Sequence, residues 1–453
     1  MTLLVRAATA LLTPGERLDG AWLLCRDGVI EQVGSGPAPR ADDVLDLRNC
    51  VMTPGLVNTH DHLYQWATRG YAHDSGLFGW LKLLYPIWAQ IDAEVVSAAA
   101  RAAIGRLLLA GCTLTTDHHY IFPAGRPGIF EALVDAAVDL GIRFHPCRGS
   151  MSLGESRGGL PPDSLVEDEE VILAETEHLV ARYHDPRPGS MLRVAVAPCS
   201  PFSVTPRLME ESARLARRLG VHLHTHLAET LDEEKFCVEK FGRRPLELLE
   251  GWGWIGDDVW LAHGVHFSDG EVARLGSTRT GIAHCPSSNM RLGAGACRSM
   301  DLVRAGARIG LGVDGAASSE DYDLLRQAHQ ALLMARLRAA LGGSPESASA
   351  MTPAQSWDLA TRGGAAVLGR DDVGTLAPGM RADIALYRVD DLDRAGIEDP
   401  LVALVLAPPA RAEAVVVEGR VVVRDGRLVN ADEESLAREV AAAGARLRAV
   451  LDA

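Results

Sequence analysis

The chain has 453 residues, more than one ordinary domain requires, although an α/β barrel alone takes about 250 or more. Apolar residues make up 47% and charged residues 23%, the balance of a soluble globular protein. A formal net charge of −15 and a pI of about 5.5 argue against a nucleic-acid backbone or an anionic membrane as partner, and no stretch approaches the roughly 20 uninterrupted apolar residues of a spanning helix.

In chain order, the apolar start is interrupted by Arg6 and lacks a small-residue cleavage site, so it reads as a first strand rather than a leader. Short strands over Leu3–Ala10, Ala21–Cys25, Val29–Val33 and Val44–Leu47 are punctuated by Asp27-Gly28 and Gly34-Ser35-Gly36. From about residue 53 to 370 the pattern becomes strand–helix alternation. Helices are expected over Ala93–Ala110, Phe130–Leu140, Leu165–Tyr183 and Pro206–Leu219, with strands over Cys112–Thr116, Ile142–His145, Leu192–Ala197 and Val221–Thr225. This alternation predicts a parallel sheet covered by helices. After Gly374 strands return over Ala382–Tyr387, Ala414–Glu418, Arg420–Arg424 and Arg427–Val429, followed by an alanine-rich helix, Glu433–Leu451. The expected architecture is a distorted (β/α)8 barrel over residues 53–370. Residues 1–52 and 371–453 together form a small composite β-sandwich domain carrying the terminal helix.

Four separated points carry chemistry: His60-Asp61-His62, His226-Leu227-Ala228-Glu229, His263, and Asp314-Gly315. Each follows a short apolar, β-branched run, and functional residues at the ends of successive strands are how such a barrel builds its active face. Residues two apart on a strand share a face, so His60 and His62 can chelate one ion. His222, His224 and His226 alternate onto one face of another strand, with His226 nearest the loop end. Three neutral imidazoles and one carboxylate suit a divalent ion, Zn²⁺ above Fe²⁺, and leave room for a water. That ion would lower the pKa of its water from 15.7 to roughly 7. Asp314 would bind the ion and accept the water's second proton, His263 would orient the water, and Glu229 would carry a proton to the leaving group.

Two competing signals fail. Gly310-Leu-Gly-Val-Asp-Gly315 has no following Lys-Ser/Thr to make a phosphate loop, and Ser287-Ser288 lacks a nucleophile elbow. The eight cysteines are scattered without a CxxC pair, which excludes a cysteine-based zinc ribbon and suggests reduced thiols in a cytoplasm.

The motifs Pro54-Gly-Leu-Val-Asn-Thr-His-Asp-His62, His224-Thr-His-Leu-Ala-Glu229, Ala262-His-Gly264, His284-Cys-Pro-Ser-Ser-Asn289, Gly312-Val-Asp-Gly-Ala-Ala-Ser318 and Gly374-Thr-Leu-Ala-Pro-Gly-Met-Arg-Ala-Asp-Ile384 resemble the amidohydrolase superfamily, in its cytosine/guanine-deaminase-like branch, over nearly the whole chain. The resemblance implies His60, His62, His226 and Asp314 as metal ligands and Glu229 and His263 as the proton-transfer pair. Asp61 departs from the branch, where a third histidine often stands; the resemblance has it pointing away from the metal. Local stretches including Asp117-His-His-Tyr-Ile-Phe-Pro123, Arg148-Gly-Ser-Met-Ser152 and Ala197-Pro-Cys-Ser-Pro-Phe202 are similar to those of bacterial deaminases of 8-oxoguanine. They imply hydrolysis of 8-oxoguanine to urate and ammonia, with guanine, isoxanthopterin or a hydroxytriazine as alternative substrates. Asp314 separates the chain from chlorotriazine hydrolases of this shape, which lack it.

Gln65, Arg148 and Cys199 are candidates for contact with a flat heterocycle. Phe78, Trp80, Tyr85 and Trp88 form an aromatic stretch that could cover the pocket or pack as core. The expected partner is a small molecule, with no nucleic acid and no membrane. Apolar outer helix faces favour a homo-oligomer.

Overall fold

A computed structural model describes residues 1–407 and 411–449. Eight parallel strands close into a barrel: β1 (Leu56–Asn58), β2 (Cys112–His119), β3 (Arg143–Ser150), β4 (Ala195–Pro198), β5 (Leu223–Leu227), β6 (Val259–His263), β7 (Gly281–His284) and β8 (Arg308–Leu311). They neighbour one another in sequence order, and β8 returns to β1 through the pairing of Leu311 with Asn58. The helices between strands begin at side chains that satisfy their free N–H groups: Asp92 accepts from Val95, Asp168 from Glu170 and Val171, Thr205 from Leu208, and Ser268 from Glu271. Asp168 also explains why the helix expected from Leu165 starts at Glu169; Leu165 belongs to a preceding 3-10 turn.

Alternation along each strand divides the apolar residues into two cores. Val57, Leu114, Cys147, Ala195, Ala197, Trp260 and Ala283 fill the barrel. Residues of the opposite parity, such as Phe144 and Val196, pack outward in the larger layer beneath the helices.

Strands from both ends of the chain make one nine-stranded sheet. At its centre Asp43–Pro54 runs parallel to Thr2–Thr13 and antiparallel to Ile384–Arg388. The edge strand Val29–Ser35 comes back beside residues 379–382: Ile30 N–H donates to Met380 O and Gly379 N–H to Ile30 O, each at 2.8 Å. The sheet thus folds over its own core of Leu3, Val5, Leu23, Ile30, Met52, Ile384 and Val416. Arg143, at the start of β3, ties it to the barrel floor. Its buried guanidinium donates to both Asp383 oxygens, at 3.0 and 2.9 Å, and to the carbonyls of Gly189 and Ser190, both at 2.8 Å. The terminal helix is described over Glu433–Arg448; residues 450–451 of its expected span lie outside the described residues. Among the described residues no helix is long and apolar enough to cross a membrane.

Candidate metal centre and catalytic cavity

The strand ends deliver His60 and His62 after β1, His226 within β5, His263 at the end of β6 and Asp314 after β8. All are buried. His263 and Asp314 take positive φ values of 71° and 61°, a region that costs non-glycine residues energy and recurs at functional sites. Here the turn bends each side chain back over the barrel mouth. Two glycines provide the clearance: a Cβ on Gly312 would lie 2.8 Å from the His60 Cβ, and one on Gly315 would lie 1.9 Å from Gln65 Oε1.

His62 Nδ1 donates to the carbonyl of His118 at 2.6 Å and His226 Nδ1 to that of Cys199 at 2.7 Å. A neutral imidazole that donates through Nδ1 presents a lone pair at Nε2. Burial holds both rings in the neutral form, bringing His62 down to about 3 and His226 well below the ordinary histidine value. Yet the two Nε2 atoms face each other at 3.1 Å. His60 Nε2 is also buried without a hydrogen-bond partner, and it and His62 Nε2 lie 3.4 and 3.5 Å from Asp314 Oδ1. Converging lone pairs beside a carboxylate repel one another unless a cation stands between them, so the donor set fits a divalent metal. Burial acts to raise Asp314, but the close approach of the His60, His263 and His62 rings holds it well below the usual carboxylate range, in the ionised form that binds metal.

Beside this cluster Glu229 Oε2 lies 3.6 Å from His263 Nε2. Burial pushes Glu229 up to about 7, suited to exchanging protons near neutrality. Its main chain is fixed by the Glu233 carboxylate, which accepts from the N–H groups of Ala228 and Glu229 at 3.0 and 2.9 Å. His263 Nδ1 donates to Asn289 Oδ1 at 3.0 Å, directing Nε2 toward Glu229. Asp61 turns away from the cluster, its carboxylate accepting from Asn58 Nδ2 at 2.9 Å and from the Tyr322 hydroxyl.

These groups open into a cavity at the mouth of the barrel. Its walls include Trp80, Leu81, Tyr85, Tyr120, Phe202 and Leu292. Gln65 and Cys199 also line it, and both amide atoms of Gln65 are buried without partners, available to a ligand edge. Arg148 does not line it: its guanidinium donates to Glu167 and Glu175 and lies over the Phe122 ring at 3.8 Å, on the outward face of β3. The aromatic stretch divides likewise, with Trp80 and Tyr85 facing the cavity, Phe78 against Phe202, and Trp88 buried against Tyr64. Leu292 and Ser318 also line the cavity: Leu292 lies three residues beyond the His284–Asn289 motif, and Ser318 closes the Gly312–Ser318 motif, where nothing in the spacing marks it as a lining residue.

Comparison with known proteins agrees with this geometry. Residues 51–422 match the amidohydrolase family, and the chain belongs to it. It is 47% identical to the 8-oxoguanine deaminase of Pseudomonas aeruginosa (strain PAO1), covering 97% of this chain and 98% of that protein. It is 37% identical to the hydroxydechloroatrazine ethylaminohydrolase of Pseudomonas sp. (strain ADP), over 94% of this chain and 90% of the relative. Among solved structures, atrazine chlorohydrolase from Arthrobacter aurescens TC1 complexed with zinc superposes with a TM-score of 0.92 at 34% identity, over 98% of this chain and all of that one.

Proposed function

We propose that the protein is a metal-dependent aminohydrolase that converts 8-oxoguanine and water to urate and ammonia, with His60, His62, His226 and Asp314 as ligands of one Zn²⁺. The observation that carries the reaction class is the Glu229–His263 pair set beside converging imidazole lone pairs at the floor of an aromatic-walled cavity. The substrate rests on the 47% identity to an 8-oxoguanine deaminase over nearly the full length of both chains. Zinc is supported by the donor set and by the zinc complex of the triazine hydrolase relative.

A divalent ion held by these residues would supply hydroxide at neutral pH. Attack at C2 of the purine forms the new C–O bond, and C2–N cleavage releases the exocyclic amine as ammonia. Glu229 protonates the ring nitrogen next to C2, so that negative charge does not build up on the ring. Asp314 takes the second proton from the attacking oxygen and passes it to the departing amine, balancing the reaction. His263, anchored by Asn289, orients the attacking oxygen. Gln65 reads the ring edge, and the walls near Trp80, Tyr85 and Phe202 cover the apolar faces. Eight buried cysteines without disulfides are consistent with work in a reducing cytoplasm.

The test is ammonia release and ultraviolet spectra of zinc-loaded protein with 8-oxoguanine, guanine, isoxanthopterin and hydroxyatrazine. Rapid conversion of 8-oxoguanine to urate is the expected result. Amine release from the triazine without purine turnover would retain the chemistry and overturn the substrate.

A further inference from the structure

The proposed metal donors account for His60, His62 and His226, but not for two other buried histidines packed among them, His118, whose Nε2 donates to the carbonyl of Ala197 at 2.7 Å, and His224. His224 is fully buried on β5. One ring nitrogen, Nε2, lies 2.8 Å from His60 Nδ1, and the other lies 2.9 Å from the carbonyl oxygen of Trp260 on β6. The ring stacks on the Trp260 indole, with centroids 4.3 Å apart and planes 12° from parallel. That indole donates from Nε1 to the carbonyl of Thr59, the residue before His60, at 3.1 Å.

The carbonyl fixes the direction of the whole chain of bonds. It can only accept, so His224 Nδ1 carries hydrogen. In the neutral ring Nε2 is then an acceptor, and His60 Nδ1 must donate to it. His60 is left with its lone pair on Nε2, the atom that faces Asp314 and the other donors. Without this acceptor the alternative tautomer of His60 gains an advantage. A hydrogen on Nε2 could be donated to the Asp314 carboxylate 3.4 Å away, which would cover the very lone pair an ion needs.

We infer that His224 is a positioning residue that sets the metal-binding tautomer of His60 by relaying the hydrogen-bond direction of the Trp260 carbonyl. It touches neither ion nor substrate. The inference rests on the ligand set proposed above, because it assigns His60 Nε2 to the ion. His62 and His226 take the same instruction directly from main-chain carbonyls. His60 receives it through a second ring.

Two variants separate hydrogen bonding from packing. His224→Phe keeps a ring on Trp260 but has no acceptor. His224→Gln loses the stack, but its amide oxygen can accept from His60 while its NH₂ donates to Trp260. Zinc affinity is read by competition with a chromophoric chelator, alongside zinc content and the melting temperature of the metal-free proteins. Partners that orient a metal ligand are worth 10–100-fold in metal affinity. We expect His224→Phe to lose about that factor, and His224→Gln to remain within a few-fold of wild type. Equal affinity for His224→Phe and wild type would overturn the inference, as would equal losses in both variants. Wild type that binds no zinc stoichiometrically would instead overturn the ligand set itself. Should His224→Phe fail to fold, long-range ¹H–¹⁵N spectra of histidine-labelled, metal-free wild type decide: His60 protonated at Nδ1 is expected, and protonation at Nε2 refutes the relay.

Discussion

His62 and His226 confront each other through Nε2 atoms 3.1 Å apart, while each Nδ1 is bound to a main-chain carbonyl. The barrel therefore holds two lone pairs in a contact that only a cation makes favourable. Chelation is expected to lower the melting temperature and abolish turnover, with both restored by added zinc. At a free zinc concentration 100 times Kd the gain in stability is about 2.7 kcal/mol. A thermal melt unchanged by chelator, with the metal shown to be gone, would contradict this account.

Glu229 lies 3.6 Å from His263 and stands outside the proposed ligand set. Glu229→Gln is expected to lower kcat/KM by roughly 10²–10⁴-fold, the range for loss of a proton-transfer group, with zinc content and melting temperature close to wild type. Asp314→Asn should abolish turnover with the fold near wild type. Undiminished activity in the Asp314 variant would defeat the proposed proton path.

Gln65 and Arg148 were both candidates for reading the substrate, and the structure separates them. Gln65 offers an unpartnered amide to the cavity, whereas Arg148 is engaged by Glu167 and Glu175. Gln65→Leu is expected to raise KM by about 10-fold or more, since an unmet buried polar group costs about 1–3 kcal/mol. Arg148→Met should lower thermal stability by about 1.5–3 kcal/mol, the range for hydrogen bonds to charged groups, because Glu167 and Glu175 keep access to water, with KM within a few-fold. Steady-state kinetics and melts of the two variants check both.

Asp372 links the segment after the barrel to the barrel floor. It accepts from the Arg370 guanidinium at 2.7 and 2.8 Å and from Gly189 N–H at 2.7 Å. Burial acts to raise its pKa, but the Arg370 hydrogen bonds and charge and the Gly189 N–H outweigh it and bring it down to about 2. A carboxylate depressed in the folded state stabilises above its unfolded pKa near 4, and that contribution disappears as pH falls through about 2. Asp372→Asn is therefore expected to lose about 2 kcal/mol at pH 7, with the gap to wild type closing between pH 4 and 2. Denaturant unfolding at several pH values measures it, and a gap that stays constant to pH 2 would refute the linkage.

The ends of the strands were the most legible part of the sequence, because alternation carries His60 with His62 and His224 with His226 to shared faces. Arg148 shows how this reasoning slips. With the third strand expected over Ile142–His145, Arg148 reads as a strand-end residue able to contact the heterocycle, but β3 runs to Ser150. Cys147 faces the barrel core, so its neighbour Arg148 must face out. The same parity carried from Ala195 and Ala197 to Cys199 points inward, and Cys199 reaches the cavity. β7 was not recognised as a strand: Gly281–His284 has only four residues, too few to show a period. Asn289 was visible within a motif, but its bond to His263 crosses between strands and has no signature in either segment.

The seam between β8 and β1 is held by one strand pairing and by side bonds around the ligands: Asn58 Oδ1 accepts from Val313 N–H at 2.9 Å, Thr59 Oγ1 donates to Leu311 O at 2.9 Å, and Asp314 N–H donates to His60 O at 3.0 Å. Asn58 and Val313 stand 255 positions apart. During synthesis His60 and His62 emerge long before Asp314 exists, and they cannot be completed by any local folding event. The donor cluster thus sits on the joint that closes the barrel, and it is complete only when segments 255 positions apart have met.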